Sequence, residues 1–351
     1  MVSRRTVGLV CLLAACKPDI EDGASRVTSD RVLAVRSEPA EVTPGKEVRY
    51  TALLASPQSG GDPDALDFAH CLARKPITVP GPIALECLAD SAEALSSLGR
   101  GNQVSGVIPQ TACRLFGPNP PAPAPGEPAA RAADPDPSGG YYQPVRVHHA
   151  TTGEYSVGVT RLACGVARAT QDQSLEFTRR YRLNQNPELD RVTARIGDVE
   201  SELAEGLALS VPAGSRVTLR VQWRDCPTQA ACGDGACSIY EDDLSCAEDC
   251  AEPRGCTGAE PYVYFDPETS RIVERRESIR VSWFGTAGSF TQDRTGRQAV
   301  GLEGLENQKT DSPESTNEWT APDVPSEARL WLVIRDDRGG TGFASFVLRV
   351  E

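Results

Sequence analysis

Residues 216–223 read "RVTLRVQW", and this short stretch decides the expected fold. Val217, Leu219, Val221 and Trp223 alternate with polar and charged side chains. Successive side chains of a β-strand point to opposite faces of its sheet, so a period of two is typical of an antiparallel strand with one buried face. The stretch therefore predicts a strand whose apolar face packs in the core of a β-sandwich.

Two further runs repeat this period nearer the end of the sequence. Their apolar residues recur at every second position, at Ile279, Val281 and Trp283 and again at Leu330, Leu332 and Ile334. The second run leads to "DDRGG" at 336–340, a turn signal, and "FASFVLRV" at 343–350 then predicts a returning strand. A strand, a tight turn and a closing strand are typical of the end of a β-sandwich.

Two parts of the chain open in the same way. Residues 31–54 and 191–223 both begin Arg-Val-x-Ala, reach a Pro/Gly turn and continue into a strand. A chain of 351 residues suggests about two domains, at roughly 150 residues each. We therefore predict an all-β protein of two β-sandwiches, at 31–188 and 189–351. The expected core residues are Val48, Tyr50, Ala52 and Leu54 in the first sandwich and Val217, Leu219, Val221, Trp223, Leu330 and Leu332 in the second.

Residues 320–350 read "TAPDVPSEARLWLVIRDDRGGTGFASFVLRV" and resemble the last strands of bacterial immunoglobulin-like and PKD-like repeats. Those repeats often carry a Thr-Ala-Pro, a Pro-led turn, a long apolar strand and a terminal strand. "SEPAEVTPGKEVRYTALL" at 37–54 resembles their opening strands. The resemblance implies two immunoglobulin-like sandwiches with a structural or adhesive role, and it brings no catalytic residue to this chain. Insertions in each half depart from the repeat pattern.

The first half carries three of these insertions. Residues 114–140 are rich in Pro and Ala and predict a long surface loop, with a Pro-rich recognition ligand as the alternative. Residues 84–98 and 170–183 predict helices. Asn186-Pro187 should stop the second helix, because the residue before a proline disfavours the helical conformation. The domain boundary is expected just after this proline.

The second half carries a cysteine-rich insertion at 226–256, which reads "CPTQAACGDGACSIYEDDLSCAEDCAEPRGC". A structural zinc site prefers Cys-x₂₋₄-Cys pairs, which this stretch can supply, but zinc would leave Cys226 and Cys256 for a disulfide. A redox centre needs Cys-x-x-Cys, which the stretch lacks. A set of disulfides needs only an even number of cysteines and an oxidising compartment. We therefore favour disulfides.

The segment "CGDGACSIYEDDLSCAEDC" at 232–250 resembles a small cysteine-rich module of secreted and surface proteins from GC-rich bacteria. Cys246 and Cys250 are one helical turn apart and can present both sulfurs on one face. We expect an interleaved pattern of Cys232–Cys246 and Cys237–Cys250, with Cys226–Cys256 closing the ends of the insertion. For the first half the expected pairs are Cys71–Cys164 and Cys87–Cys113.

Acidic residues lie between the cysteines of this module. Asp234, Glu241, Asp242 and Asp249 supply the hard oxygen atoms that calcium takes as ligands, and Asp243 lies beside them. Solvated surface charge on a disulfide-linked module is the favoured interpretation. A calcium site is the alternative, and calcium is the one cofactor that the sequence suggests.

The N-terminal residues 1–17 read "MVSRRTVGLVCLLAACK". Arg4 and Arg5 precede an apolar run at 7–15, which is too short to span a bilayer as a mature helix. A short basic region followed by a short apolar run is the layout of a secretory signal. The chain is therefore expected to be exported, which agrees with the disulfides expected above.

The end of the signal, "LAAC" at 13–16, resembles the lipobox of bacterial lipoproteins. The resemblance implies diacylglycerol transfer to the thiol of Cys16, cleavage before it and acylation of the new amino terminus, which gives stable anchoring in a lipid bilayer. An ordinary signal peptide is the alternative. Lys17 stands where many lipoproteins of the inner membrane carry aspartate, which favours the outer membrane or cell surface of a Gram-negative envelope. We predict a signal peptide at 1–15 and a flexible tether at 16–30.

The rest of the sequence gives little sign of catalysis. A net charge of −13 argues against nucleic acid as a partner. The three histidines, His70, His148 and His149, form no metal motif, and the sequence has neither a phosphate-binding Gly-rich loop with lysine nor Gly-x-Ser-x-Gly.

Two functions remain open. The first is a non-enzymatic envelope lipoprotein that presents immunoglobulin-like modules for structural or adhesive roles, with an envelope protein or a glycan as its partner. The second is a carbohydrate-active enzyme or its accessory module. An enzyme of this kind should have a deep cleft lined by aromatic residues, with two carboxylates about 5–10 Å apart.

Overall fold

The computed structural model describes residues 24–351, apart from 59–60, 76–82, 90, 119–137, 252–253, 267 and 298–311. Nearly all regular structure in the described residues is β, arranged as two sandwiches, so the expected fold class is confirmed. The signal peptide, Cys16 and most of the Pro-rich loop lie outside the described residues. Within the described part, no helix is both long and apolar enough to cross a membrane.

The described part of the first sandwich contains eight strands. They are β1 (Arg31–Glu38), β2 (Glu41–Val42), β3 (Glu47–Ala55), β4 (Leu66–Cys71), β5 (Leu95–Arg100), β6 (Gln103–Val107), β7 (Tyr142–His149) and β8 (Tyr155–Leu162). One sheet has the order β1-β3-β6, and the other has the order β2-β8-β7-β4-β5. Strand β3 buries Val48, Tyr50 and Ala52 as its alternation predicts, while Leu54 is half-buried at the edge of the same core.

The helix expected at 84–98 is mostly wrong, because helix α1 covers only Leu85–Leu88 and residues 95–98 belong to β5. Strand β5 pairs with β4, and this tertiary pairing overrides a local helical pattern. Helix α2 (Ala112–Phe116) is also short. The helix expected at 170–183 is present as α3 (Gln171–Arg180). Thr170 begins it with a reciprocal pair of hydrogen bonds to Gln173, which satisfies two terminal N–H groups.

The described part of the second half contains the remaining strands. These are β9 (Arg191–Ile196), β10 (Val199–Glu202), β11 (Ala208–Val211), β12 (Arg216–Gln222), β13 (Pro261–Asp266), β14 (Arg271–Arg276), β15 (Ile279–Gly285), β16 (Ser289–Phe290), β17 (Arg294–Arg297), β18 (Glu314–Thr320), β19 (Ser326–Asp336) and β20 (Thr341–Val350). The sheet β10-β9-β12-β18-β16 faces the sheet β11-β20-β19-β15-β17 across one core, and β13 and β14 form a separate hairpin. All six core residues predicted for this half are buried.

Residues 24–30, the described part of the tether expected at 16–30, are attached to the folded structure. The N–H of Gly285 in β15 donates to the carbonyl of Ser25 at 2.9 Å, and the N–H of Val27 donates back to Gly285 at 2.9 Å. Val27 is buried in a small cluster with Ala55 of the first sandwich and Trp331 of the second. Apolar contact with both sandwiches therefore holds residues 24–30 in place.

The two disulfides expected in the first half are wrong. Cys71 pairs with Cys87 and Cys113 pairs with Cys164, with Cα–Cα distances of 5.6 and 5.4 Å. Cys71 ends β4 and Cys164 follows β8, and these two strands lie on either side of β7. Strands two places apart are about 10 Å apart, beyond the reach of a disulfide. Each of these two cysteines instead pairs with a cysteine of a short helix, Cys87 of α1 or Cys113 of α2.

Candidate site at the junction of the two sandwiches

The chain between the sandwiches, residues 181–188, is hydrogen-bonded to both of them; we call it the linker. The side-chain amide of Asn186 donates to the carbonyl of Ser37 at 2.7 Å and accepts from the N–H of Thr341 at 2.9 Å. The N–H of Asn184 donates to a carboxylate oxygen of Glu41 at 2.9 Å. Both asparagines are buried, so each fixes the linker against structure from elsewhere in the chain.

Arg338 brings a positive charge into this junction from the turn between β19 and β20. It is fully buried, and its guanidinium donates to Glu277 at 2.6 Å and also to Glu260. A third donor nitrogen reaches the carbonyl of Arg182 in the linker at 3.1 Å, and the guanidinium carbon lies 4.9 Å from the centre of the Tyr262 ring. Arg338 thus connects the β19–β20 turn, the strands beside it and the linker.

The first sandwich contributes a matching pair of charges. Arg161 of β8 and Glu41 of β2 are both buried, with 3.5 Å between Nε and Oε2. The hydroxyl of Tyr181 donates to the other oxygen of Glu41 at 2.5 Å, and Arg161 donates to Tyr142 at 3.0 Å. Tyr142 in turn donates to the carbonyl of Arg338 at 3.2 Å. The two buried arginines are therefore linked through one tyrosine.

Burial changes the ionisation of several groups in the junction. It raises the pKa of Asp336 to about 7, although hydrogen bonds from Gly340 and Asn184 oppose the change. Burial also raises the pKa of Glu277 well above its usual value and lowers the pKa of Arg338 to about 10. Water is excluded from these groups, and a charged form without its hydration shell is less favourable.

The cysteine-rich insertion, which we call the cysteine module, packs against the linker. Arg182 donates to the carbonyl of Ser238 at 3.1 Å and to that of Glu241, and the N–H of Gly255 donates to the carbonyl of Leu183 at 3.2 Å. The module has the pairs expected from the sequence, Cys226–Cys256, Cys232–Cys246 and Cys237–Cys250. The linker is therefore held by covalently stapled chain on one side and by Arg338 on the other.

The acidic residues of the module do not assemble the expected calcium ligands. Each of Asp234, Glu241, Asp242 and Asp249 accepts hydrogen bonds from nearby backbone N–H groups. Asp249, for example, accepts from Gly233 and Gly235, whose positive φ angles form the turn that brings both N–H groups to one carboxylate. Among the described residues, the one close group with metal-ligand atoms is Cys232, Glu241 and Cys246, and its two cysteines form a disulfide.

A cleft of about 280 Å³ opens at the junction. Its walls come from the end of β8 with the residues that follow, from α3 and the start of the linker, and from β13. The lining residues are Gly139, Tyr141, Arg161, Leu162, Ala163, Cys164, Gly165, Val166, Ala167, Phe177, Thr178, Tyr181, Leu183, Tyr264 and Phe265. Arg161 is the one charged residue in this described lining, and the lining contains no carboxylate. We call this space the junction cleft.

The three histidines lie away from the junction cleft. His70 is buried in the core of the first sandwich, where Nε2 lies 2.9 Å from the hydroxyl of Tyr50, and burial lowers its pKa to about 4. His149 is buried, while His148 stacks on Tyr155 with 4.6 Å between ring centres. The two neighbours point to opposite faces of β7, as the sequence suggested, and the positions of all three are explained by packing.

Sequence reasoning missed the two buried arginines of the junction. Arg161 lies in the strand sequence "YSVGVTRL", where a charge among apolar residues was the available signal. Arg338 lies in "DDRGG", which reads as an exposed turn. Residues 339–342 allow the close approach instead, since a Cβ at Gly340 would collide with the carboxylate of Asp336 and one at Gly342 with the carbonyl of Pro187.

Comparisons with known proteins identify no family. No protein-family model matches the chain, and no curated protein matches it significantly. Among solved structures, latent PorU from Porphyromonas gingivalis has 10% identity and a TM-score of 0.19, with 92% of this chain and 24% of PorU covered. The BspA C-terminal domain of Streptococcus agalactiae has 11% identity and a TM-score of 0.20, with 90% and 99% covered. The chain spans about a quarter of PorU, and TM-scores this low carry no functional argument.

Proposed function

We propose that the protein is a non-enzymatic lipoprotein of the Gram-negative cell envelope, held in the outer membrane through acylated Cys16. Its folded part is a binding module made of two sandwiches in one fixed arrangement. The observation that carries this proposal is the junction, where Asn186 bonds to Ser37 of the first sandwich and Thr341 of the second. A fixed arrangement presents surfaces of both sandwiches to a partner without an ordering cost at binding.

The disulfides support the exported location. All ten cysteines from Cys71 to Cys256 are paired in five bonds. Such bonds persist in the periplasm and at the cell surface and are rare in the cytosol. The lipobox-like "LAAC" at 13–16 supports attachment to the membrane once the chain has been exported.

The composition of the junction cleft supports the binding role over the carbohydrate-active alternative. A carbohydrate-active enzyme requires two carboxylates across an aromatic cleft. The cleft has the aromatic residues, but its described lining has no carboxylate. The nearby Glu41 is buried and is already bonded to Arg161, Tyr181 and the backbone of Asn184. The geometry of the junction cleft therefore favours binding over hydrolysis at this site.

Phase partition tests the lipid anchor. The full chain, expressed in a Gram-negative host, should enter the detergent phase, whereas Cys16→Ser should accumulate as precursor or remain in the aqueous phase. Cys11→Ser is the matched control, because that cysteine lies inside the expected signal peptide, and it should behave as the parent does. Partition of Cys16→Ser into detergent to the parent's extent would falsify the anchor.

A further inference from the structure

We propose that the junction cleft binds an uncharged small molecule with one or two flat, apolar rings. This inference names the ligand of the proposed binding role, and it does not depend on the lipid anchor, because the lining residues lie in the folded part. The volume of about 280 Å³ is near the lower end of small-molecule sites, which span roughly 300–1,000 Å³. A cleft of this size suits a ligand of one or two rings.

Aromatic side chains from two parts of the chain line the cleft. Phe177 and Tyr181 stack on each other with 4.7 Å between ring centres, and Tyr264 comes from the β13–β14 hairpin. All three are half-buried, so part of each remains accessible. Arg275 lies with its guanidinium carbon 4.6 Å from the centre of the Tyr264 ring, which steadies that wall. Flat rings pack well against such walls in offset or edge-to-face contacts.

The charges around the cleft favour an uncharged ligand. Arg161 is the one charged residue of the described lining, and its charge is balanced by Glu41 at 3.5 Å. Both side chains are buried, with 2% and 0% of their surface exposed. A charged ligand would lose its hydration and find no opposite charge without disrupting this pair, which is costly in free energy.

The polar groups of the lining disfavour a sugar. A sugar buries several hydroxyl groups, and each needs a hydrogen-bond partner to replace water. The described lining holds no Asp, Glu, Asn or Gln side chain, and leaves Thr178, Arg161 and the tyrosines to meet that demand. Arg161 and Tyr181 are already bonded to Glu41. An apolar ring makes no such demand.

Two dyes that share one ring system test the charge and the shape together. N-phenyl-1-naphthylamine is uncharged, and 1-anilinonaphthalene-8-sulfonate adds a sulfonate to the same rings. The full chain with Cys16→Ser, recovered from the aqueous phase, serves as the protein, since it needs no detergent that would take up the dyes. We expect one molecule of N-phenyl-1-naphthylamine to bind each protein saturably, as measured by fluorescence. The affinity for 1-anilinonaphthalene-8-sulfonate should be at least about tenfold lower. Methyl glucoside in excess should displace neither dye.

Substitutions locate the dye. Phe177→Ala and Tyr264→Ala should each weaken binding by about tenfold, since each removes one wall of the cleft. Leu244→Ala is the matched control, because Leu244 is 92% exposed on the cysteine module, and binding should be unchanged. Val166→Trp, which fills the cleft, provides a second route if an alanine variant unfolds in a thermal melt, and it should also abolish binding.

Several outcomes would overturn the proposal. It is wrong if the uncharged dye fails to saturate, if the sulfonate binds equally well, or if methyl glucoside displaces the dye. It is also wrong if Leu244→Ala weakens binding as much as the cleft variants do. The proposal would also be wrong if the dye bound only after deletion of residues 119–137, because that segment would then occupy the cleft in the full chain. Each of these results leaves the lipid-anchor experiment unaffected.

Discussion

The Nε atom of Arg338 lies 2.6 Å from Oε1 of Glu277, and both side chains are buried. The same guanidinium also bonds to Glu260, so one cation stands between two buried carboxylates. Removal of water from charges costs free energy that is recovered only while every charge has its partner. These three buried groups therefore stabilise the junction only together, and loss of any one of them should destabilise it.

Arg338→Met should strongly destabilise the protein. The change leaves Glu260 and Glu277 buried without their shared cation, and loss of one partner in such a pair costs about 3–5 kcal/mol in the free energy of unfolding. Denaturant unfolding measures it. Arg329→Met is the matched control, because Arg329 pairs with Glu327 at the surface, and it should change stability by less than about 1 kcal/mol. If both substitutions lowered the free energy of unfolding equally, the buried ion pairs of the junction would contribute no more to stability than a surface ion pair.

Asn186→Ala should loosen the arrangement of the two sandwiches. The substitution removes the bonds to Ser37 and Thr341 and leaves a buried carbonyl and a buried N–H unpaired, at about 1–3 kcal/mol each. Distances between spin labels on the two sandwiches should broaden. Asn317→Ala is the control, since its side chain bonds to Gln292 within the second sandwich. That variant should lose stability without broadening the distances between sandwiches.

The stability of the junction should depend on pH through Asp336. Burial raises the pKa of Asp336 from 3.8 to about 7, so the folded protein keeps a proton that the unfolded chain has released. The resulting stability is present at low pH and is lost as the pH rises through about 7. The wild type should therefore be about 2 kcal/mol less stable at pH 7 than at pH 5 from this group alone.

Asp336→Asn provides the comparison for this pH dependence. The amide cannot titrate, but its oxygen can still accept from the N–H groups of Arg338 and Gly340. The loss of stability between pH 5 and pH 7 should shrink in this variant. Glu277 also has a raised pKa, so a pH dependence of the same sign should remain in this variant. An unchanged slope in Asp336→Asn would show that Asp336 is already ionised at pH 5.

The strands could be predicted because their signal is local. The alternation of Val217, Leu219, Val221 and Trp223 specifies one face of one strand, and that face is buried against Leu330 and Leu332 of the opposite sheet. Residues 95–98 show the limit of such patterns. They follow a helical pattern in the sequence, yet they form β5 because β4 offers an edge to pair with. Only the assembled sheet supplies that edge.

The junction could not be predicted for a related reason. Glu41, Arg161, Glu277 and Arg338 come from distant parts of the chain, and no local pattern shows that they meet. Their burial depends on how the sandwiches pack, which no periodicity encodes. The predicted disulfide between Cys71 and Cys164 was wrong for a similar reason, because only the sheet order places β7 between their strands. The cysteine module succeeded because its pairs close within a short stretch.

Loss of the Cys226–Cys256 disulfide should expose the linker to proteolysis. Cys256 follows Gly255, whose N–H donates to Leu183, and the N–H of Cys256 itself donates to Glu260 at 2.6 Å. Glu260 in turn bonds to Arg338, which holds the carbonyl of Arg182. The double substitution Cys226→Ala with Cys256→Ala removes a disulfide that contributes about 2–4 kcal/mol to the free energy of unfolding. The lost disulfide lies at the end of the module that makes these contacts.

Trypsin gives the readout, because the buried side chain of Arg182 must leave its bonds to Ser238 and Glu241 before it can enter the protease. Cleavage of an opened segment follows the population of the open form when closing is fast. We expect cleavage after Arg182, identified by mass spectrometry, to become at least about tenfold faster in the double variant. The variant that lacks Cys71–Cys87 is the control, since that bond joins β4 to α1 inside the first sandwich. Equally faster cleavage after Arg182 in both variants would indicate a general loss of stability. The Cys226–Cys256 disulfide would then not specifically protect the linker.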